Sequence, residues 1–208
     1  MSFPVDLFVS ALVTLLVVID PPGAAPIFAS LTTNASQQAR RAMAWRSVAI
    51  ASAILIGFAA AGEPFLRALG ISLDAFRVAG GIMLFLIALD MVFETRVKRR
   101  EARARAVNEE NVEDVSVFPM AMPMIAGPGS IAAVMLLTSE ARETLDYVAV
   151  YLALGIVLVL TLAALLAAGP IMARVGAKVE AMITRLLGVI LAALAAQIVI
   201  DGLHGAFG

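Results

Sequence analysis

The chain has no cysteine, one histidine, one tryptophan and two tyrosines among its 208 residues. Without cysteine there can be no disulfide, no thiol redox chemistry and no thiolate metal site. The single histidine, His204, argues against a histidine-based metal or catalytic cluster. Charge is also scarce, at 15% of residues, where soluble domains carry about 25%. No Lys or Arg precedes the first apolar run, whereas Asp6 does. That is not the pattern of a cleaved leader, so the first segment is expected to stay as a span. There is no nucleophile–base arrangement and no lysine-bearing glycine loop for phosphate. No enzyme activity, catalytic residue, metal or cofactor is therefore expected.

What the chain does have is apolar sequence. It is 62% hydrophobic, with a mean hydropathy of +0.97. This composition belongs to an integral membrane protein. Six apolar segments stand out, at about Leu7–Leu31, Ser47–Leu66, Ala75–Phe93, Phe118–Leu137, Tyr147–Ala168 and Ile183–Leu203. A helix crossing the hydrocarbon core needs about 20 residues, so each is long enough. With the N-terminus placed outside, 12 of the 15 basic residues fall on inside loops and only Arg67, Arg77 and Arg142 fall outside. An excess of Lys and Arg marks the cytoplasmic side, which predicts both termini outside. The loop over 95–117 is basic from Arg96 to Arg105 and acidic from Glu109 to Asp114. Its basic half suits anionic lipid rather than nucleic acid.

Two of the apolar segments are interrupted by proline and glycine. The first reads Ile19-Asp20-Pro21-Pro22-Gly23-Ala24, and the second, 106 residues later, reads Ile125-Ala126-Gly127-Pro128-Gly129-Ser130. Laid over one another without a gap, Ile19–Thr32 and Ile125–Thr138 agree at five of 14 positions. The third and sixth segments also begin alike, Arg77-Val78-Ala79-Gly80-Gly81 and Arg185-Leu186-Leu187-Gly188-Val189. Paired interruptions in corresponding halves are the best sequence pointer to a transporter binding site. The expected fold is all-α, a polytopic membrane bundle of six transmembrane helices. It is one transmembrane domain over 1–208, built as two inverted three-helix repeats. The first covers 1–94, the charged cytoplasmic loop 95–117 and the second repeat 118–208. The first and fourth helices are expected to be broken at their Pro-Gly sequences.

A half-helix starting near Gly23 or Gly129 would present unpaired N–H groups and a positive dipole end, which suit a carboxylate. A half-helix ending near Ile19 or Ile125 would offer carbonyls to an ammonium group, Na⁺ or a proton-bearing water. The candidate substrate-binding residues are Asp20, Pro21, Pro22, Gly23, Ala24, Pro26, Ala126, Gly127, Pro128, Gly129, Ser130 and Gln197. Asp20 and Asp90 are the candidate groups for a coupling ion, because carboxylates at membrane depth are expensive unless paired. Asp20 has a second reading as a local cap for the following half-helix. Asp90 could instead pair with Arg96, and Gln197 could serve interhelical bonding. Asp201 and Glu63 read as interfacial residues. Small residues recur at every fourth position, as Ala49, Ala53, Gly57 and Ala61, and as Gly188, Ala192 and Ala196. Such stripes are expected to pack helices together.

Ile19-Asp20-Pro21-Pro22-Gly23-Ala24-Ala25-Pro26-Ile27-Phe28 resembles the Asn-Pro-x-Gly-x-x-Pro-Ile-Phe signature of the MarC family. The run Met122 to Ile131 is similar to the family's second signature, and Arg77–Phe85 and Gln197–Leu203 are similar as well. The resemblance covers essentially the whole chain. It implies a bacterial inner-membrane protein of six spans within the wider group of LysE-type transporters, some described as neutral amino-acid transporters. The chain departs from the family by carrying Asp20 where Asn is common, which adds an ionisable group and opens the way to proton coupling.

The leading expectation is a secondary transporter or exporter of a small polar solute, with a neutral amino acid first among candidates. Its partners would be that solute, a coupling H⁺ or Na⁺, membrane lipid and, as an open option, a second copy of the chain. The alternative is a non-transporting membrane factor that binds a lipid or a partner protein.

Overall fold

The computed structural model of the chain describes residues 3–93 and 114–207, without the side chains of 169–181 and 183. Most of the charged loop over 95–117 thus lies outside the described residues, as do the side chains of Arg174 and Lys178. The described residues are helical, with no strand among them. In chain order the helices are α1 (Val5–Ile19), α2 (Pro21–Leu31), α3 (Gln37–Ala68), α4 (Leu73–Val92), α5 (Ser116–Ile125), α6 (Pro128–Glu140), α7 (Thr144–Leu166) and α8 (Ala168–Phe207). Five stretches are long and apolar enough to cross a membrane: Val5–Leu31, Gln37–Ala68, Leu73–Val92, Thr144–Leu166 and Thr184–Phe207. The bent pair α5 and α6, meeting at 51°, makes a sixth if it counts as one span.

These runs are helical because lipid offers nothing to bond an open backbone. The ends outside the apolar runs are capped by short polar residues. Ser36 accepts from Ala39 N–H at 3.2 Å and Ser72 from Ala75 N–H at 3.1 Å. The Asp146 carboxylate accepts from the N–H groups of Arg142 and Glu143, at 2.9 and 3.0 Å. Within the spans, hydroxyls bond back to the carbonyl four residues earlier, as Ser47 does to Met43, Thr138 to Val134 and Thr161 to Val157. Large apolar side chains such as Ile56, Leu86, Val159 and Val189 point outwards, as a lipid-facing surface requires.

α5 is not the regular helix expected from Phe118 onwards. Pro119 and Pro123 stand four residues apart, and each removes a donor and drives the preceding residue out of the α region. Phe118 (φ −126°, ψ 128°) and Met122 (φ −132°, ψ 124°) are accordingly extended, and both X-Pro bonds are cis. The chain turns through wider bonds, Met120 N–H to the Val115 carbonyl and Ala126 N–H to the Ala121 carbonyl.

Three contacts organise the bundle. α1 and α2 pack on α7, α5 and α6 pack on α3, and α4 packs on α8. The α4–α8 pair runs antiparallel, and glycines line it. A Cβ at Gly81 would lie 2.7 Å from Val199 Cγ2 and 3.0 Å from the Ala195 carbonyl oxygen. A Cβ at Gly188 would lie 2.9 Å from Met91 Cβ, and one at Gly202 would lie 2.9 Å from Arg77 Cβ. On α8 the seam follows Gly188, Ala195 and Gly202, a seven-residue spacing like that of a coiled coil. The four-residue stripe expected there is therefore not the contact line, since Ala196 is exposed. The stripe Ala49, Ala53, Gly57 and Ala61 is exposed along its length, and a Cβ at Gly57 would meet nothing within 4 Å. That face of α3 packs on nothing among the described residues.

An ion pair between Arg46 and Asp114 ties α3 to the approach to α5. The Ser116 hydroxyl and N–H also donate to the Asp114 carboxylate. These bonds, chiefly those from Ser116 and then the Arg46 charge, hold Asp114 below the ordinary carboxylate range.

Two outcomes are expected from this packing. Gly81→Ala should destabilise the protein by about 1–3 kcal/mol through overpacking, whereas Gly57→Ala should be neutral or gain up to about 1 kcal/mol. Reversible unfolding in mixed micelles measures both. The second outcome concerns pH. A depressed folded-state value stabilises the native state fully above the ordinary carboxylate value of about 3.9. The contribution fades as pH falls through the lower folded value. Melting curves of the native chain and Asp114→Asn should therefore differ near neutral pH and converge in acid.

Candidate functional site

The first break is a single residue deep in the protein. Asp20 is 3% exposed and adopts the left-handed region, with φ 57° and ψ 66°. It closes α1 by donating its N–H to the Leu16 carbonyl, and it opens α2 by accepting from Ala24 N–H, both at 3.0 Å. Its side-chain Oδ1 accepts from Gly23 N–H at 3.1 Å. The first turn of a helix normally leaves N–H groups without partners. Here Pro21 and Pro22 have none to satisfy, and Asp20 takes those of Gly23 and Ala24. The expected donor-rich end near Gly23 is thus absent, because the helix starts at Pro21 and caps itself. Gly23 is glycine for the same reason: a Cβ there would lie 2.3 Å from Asp20 Oδ2.

The second break is built differently. Gly127 precedes α6 with extended backbone (φ −84°, ψ 171°), and no side chain caps the helix. Ala126 stands where the first break has Asp20, so no carboxylate is there to do so. Pro128 lacks an N–H, and Ile131 N–H bonds to the Gly127 carbonyl at 3.0 Å. The N–H groups of Gly129 and Ser130 are left without a side-chain cap. Ser130 is 3% exposed, and its hydroxyl makes no hydrogen bond among the described residues. The dipole end expected near Gly129 therefore stands open, unlike its counterpart.

The fold brings the two breaks together. A Cβ on Gly129 would lie 2.2 Å from Ile87 Cδ1 and 3.3 Å from Val18 Cγ1. Gly129 thus packs on α4 and on α1, two residues before Asp20. A larger residue there would have to displace the Ile87 side chain.

Beside the second break, α1, α4, α6 and α8 line a cavity of about 190 Å³ that opens to the surface at Ser10, Glu140, Gln197 and Asp201, all of them exposed. Its polar lining is Ser10, Thr14, Glu140, Gln197 and Asp201, and Leu84, Ala133 and Leu137 are among its apolar lining. Ala133 is one helical turn beyond Gly129, about 6 Å along α6. Gln197 Nε2 donates to Asp201 Oδ1 at 2.7 Å.

Of the residues marked from sequence, Gln197 lines this cavity. Pro21, Gly23, Ala24, Ala126 and Gly127 are buried around the breaks, while Pro22 and Pro128 are exposed and Pro26 is half-buried inside α2. Asp90 is half-buried two residues before the end of α4 and does not line the cavity. Sequence reading passed over Ser10, Thr14 and Glu140, and placed Asp201 at the interface only. The available signal was spacing: Ser10 and Thr14, like Gln197 and Asp201, are four apart and so share one helix face.

Comparison with known proteins adds three relatives. The sequence model of a family described as "MarC family integral membrane protein" matches residues 5–207. A UPF0056 membrane protein of Methanocaldococcus jannaschii is 39% identical, over 96% of this chain and 97% of its own. The UPF0056 membrane protein YvbG of Bacillus subtilis is 34% identical, over 99% and 96%. A UPF0056 membrane protein of Archaeoglobus fulgidus is 34% identical, over 94% and 92%. No solved structure matches the chain.

The geometry of the first break predicts a coupled pair of substitutions. Gly23→Ala should destabilise the protein, because the new methyl group runs into the Asp20 carboxylate. In an Asp20→Gly background, where the left-handed backbone is kept and the carboxylate removed, the same change should cost far less. A double-mutant cycle by micellar unfolding should give a coupling of about 1–3 kcal/mol. Additive effects would show that the carboxylate does not sit over Gly23.

Proposed function

The chain belongs to the MarC family of multi-pass integral membrane proteins, and from that premise we propose that it is a secondary transporter or exporter of a small polar solute. A neutral amino acid is the leading candidate. The observation that carries this reading is the open end of α6: Gly129 and Ser130 present uncapped N–H groups and a hydroxyl deep in the protein. Buried backbone donors are rarely left without partners. The positive end of a helix dipole suits a carboxylate. The cavity that approaches within a helical turn of it has the scale of a small solute.

The packing supports an inverted-repeat plan. The first broken span, α1 and α2, lies against α7, and the second, α5 and α6, lies against α3. The corresponding helices α4 and α8 lie against each other. Units 1–94 and 118–208 would exchange places under such a symmetry, and rocking one against the other would alternate access. The distribution of Lys and Arg supports placing both termini outside the plasma membrane of a bacterium. In this reading Asp20 holds the break together, so coupling to H⁺ or Na⁺ falls to other groups or to Asp20 only after its cap opens.

The test is movement of labelled alanine, glycine and serine in proteoliposomes with an imposed pH or Na⁺ gradient. Transport should be gradient-dependent. In Gly129→Val, which fills the approach to α1 and α4, it should fall about tenfold or more, the equivalent of one charge-assisted hydrogen bond. If folded, inserted protein moves none of a broad panel of solutes, transport is excluded and a lipid- or protein-binding membrane factor becomes the better account.

A further inference from the structure

We propose that the cavity between α1, α4, α6 and α8 is a binding site for a monovalent cation, held by oxygens of Thr14, Glu140 and Asp201. The charge balance comes first. Both ionisable residues in the lining are acids, Glu140 and Asp201. Glu140 is within electrostatic reach of Asp201 and of Arg77. Arg77 is already engaged, since its Nη1 donates to Asp74 Oδ1 at 2.9 Å. The lining therefore carries two carboxylates and no basic side chain. Glu140 makes no hydrogen bond among the described residues, and Asp201 uses only Oδ1, leaving Oδ2 open.

A second, independent observation points to a ligand. Thr14 is 4% exposed and lines the cavity. Several hydroxyls in the spans bond to the carbonyl four residues back, as those of Ser47 and Thr161 do. The Thr14 hydroxyl makes no such bond and is not sealed against protein, so it opens on the cavity. An unpartnered hydroxyl in a span is costly unless something in the cavity bonds to it.

The donor set decides the class of cation. Gln197 gives its amide N–H to Asp201, which turns its carbonyl oxygen into a further acceptor. Hydroxyl, amide and carboxylate oxygens suit a hard cation. A divalent ion with protein ligands alone would want more charge, and no group of three or more His, Cys, Asp or Glu converges among the described residues. An alkali ion and an alkylammonium group present the same chemistry to these oxygens. The site stands on the cavity itself, whether or not the chain transports.

The full chain in detergent tests this by its thermal midpoint, as NaCl replaces choline chloride at constant ionic strength. Methylammonium chloride and alanine form parallel titrations. A ligand of the native state raises the midpoint saturably. Saturation with Na⁺ alone supports the site with a free ion as its occupant. Saturation with methylammonium or alanine, but not with Na⁺, supports it with a solute's amine as the occupant. In either case Glu140→Gln should weaken half-saturation about tenfold, the loss of a hydrogen bond to a charged group. Thr14→Val, which keeps the volume, should weaken it about threefold for a neutral one. Thr14→Val carries the test if Glu140→Gln does not fold. Absence of saturable stabilisation by any of the three overturns the proposal. So does an unchanged half-saturation in the folded variants. Because the readout is binding, its failure leaves proteoliposome transport to be judged separately.

Discussion

A helix that ends among buried residues exposes amides that neither lipid nor water will bond, and here α2 and α6 both begin among buried residues. At the first start the chain removes the problem with three adjacent residues. Pro21 and Pro22 eliminate two donors outright, and Asp20 accepts from the next two with its carboxylate and its carbonyl. Asp20 must adopt a left-handed backbone to face both ways, a conformation that Asp tolerates better than most residues. Gly23 is required because the carboxylate occupies the place of its side chain. The residues of this motif are thus mutually dependent, and each makes sense only with the others present.

The second start is left open where the first is closed. Ala126 cannot cap, Gly127 has no side chain, and the amides of Gly129 and Ser130 face the interior. The two helix starts thus differ: α2 is capped by its own acid and α6 by no side chain. Gly129 lets this open end approach both α1 and α4. The glycine-lined seam between α4 and α8 supplies a close, fixed contact beside it. The cavity lies between α1, α4, α6 and α8, and its polar lining comes from three of them, α1, α6 and α8.

Much of this was legible in particular residues. The apolar segments announced the spans, because their length matches the bilayer. Pro21 and Pro128 each stand at the first position of a helix, where the missing N–H costs nothing. Other features depended on distance in space. Pro119 and Pro123 were visible, but only the backbone shows that their combined effect reshapes the whole of α5. The stripe from Ala49 to Ala61 has the spacing of a helix contact, yet it is exposed along its length among the described residues. The seam on α8 follows Gly188, Ala195 and Gly202, which depends on where α4 lies.

By itself, the sequence determined that the chain lives in a membrane, that it is helical and which family it belongs to. These follow from local physics: transfer of side chains to lipid, and the presence or absence of a backbone N–H. Tertiary structure alone decided that Asp20 is a cap, that Gly129 meets Val18 and that Thr14, Glu140, Gln197 and Asp201 share one cavity. Those facts rest on contacts between residues up to 187 positions apart, and no local propensity encodes which helix face meets which.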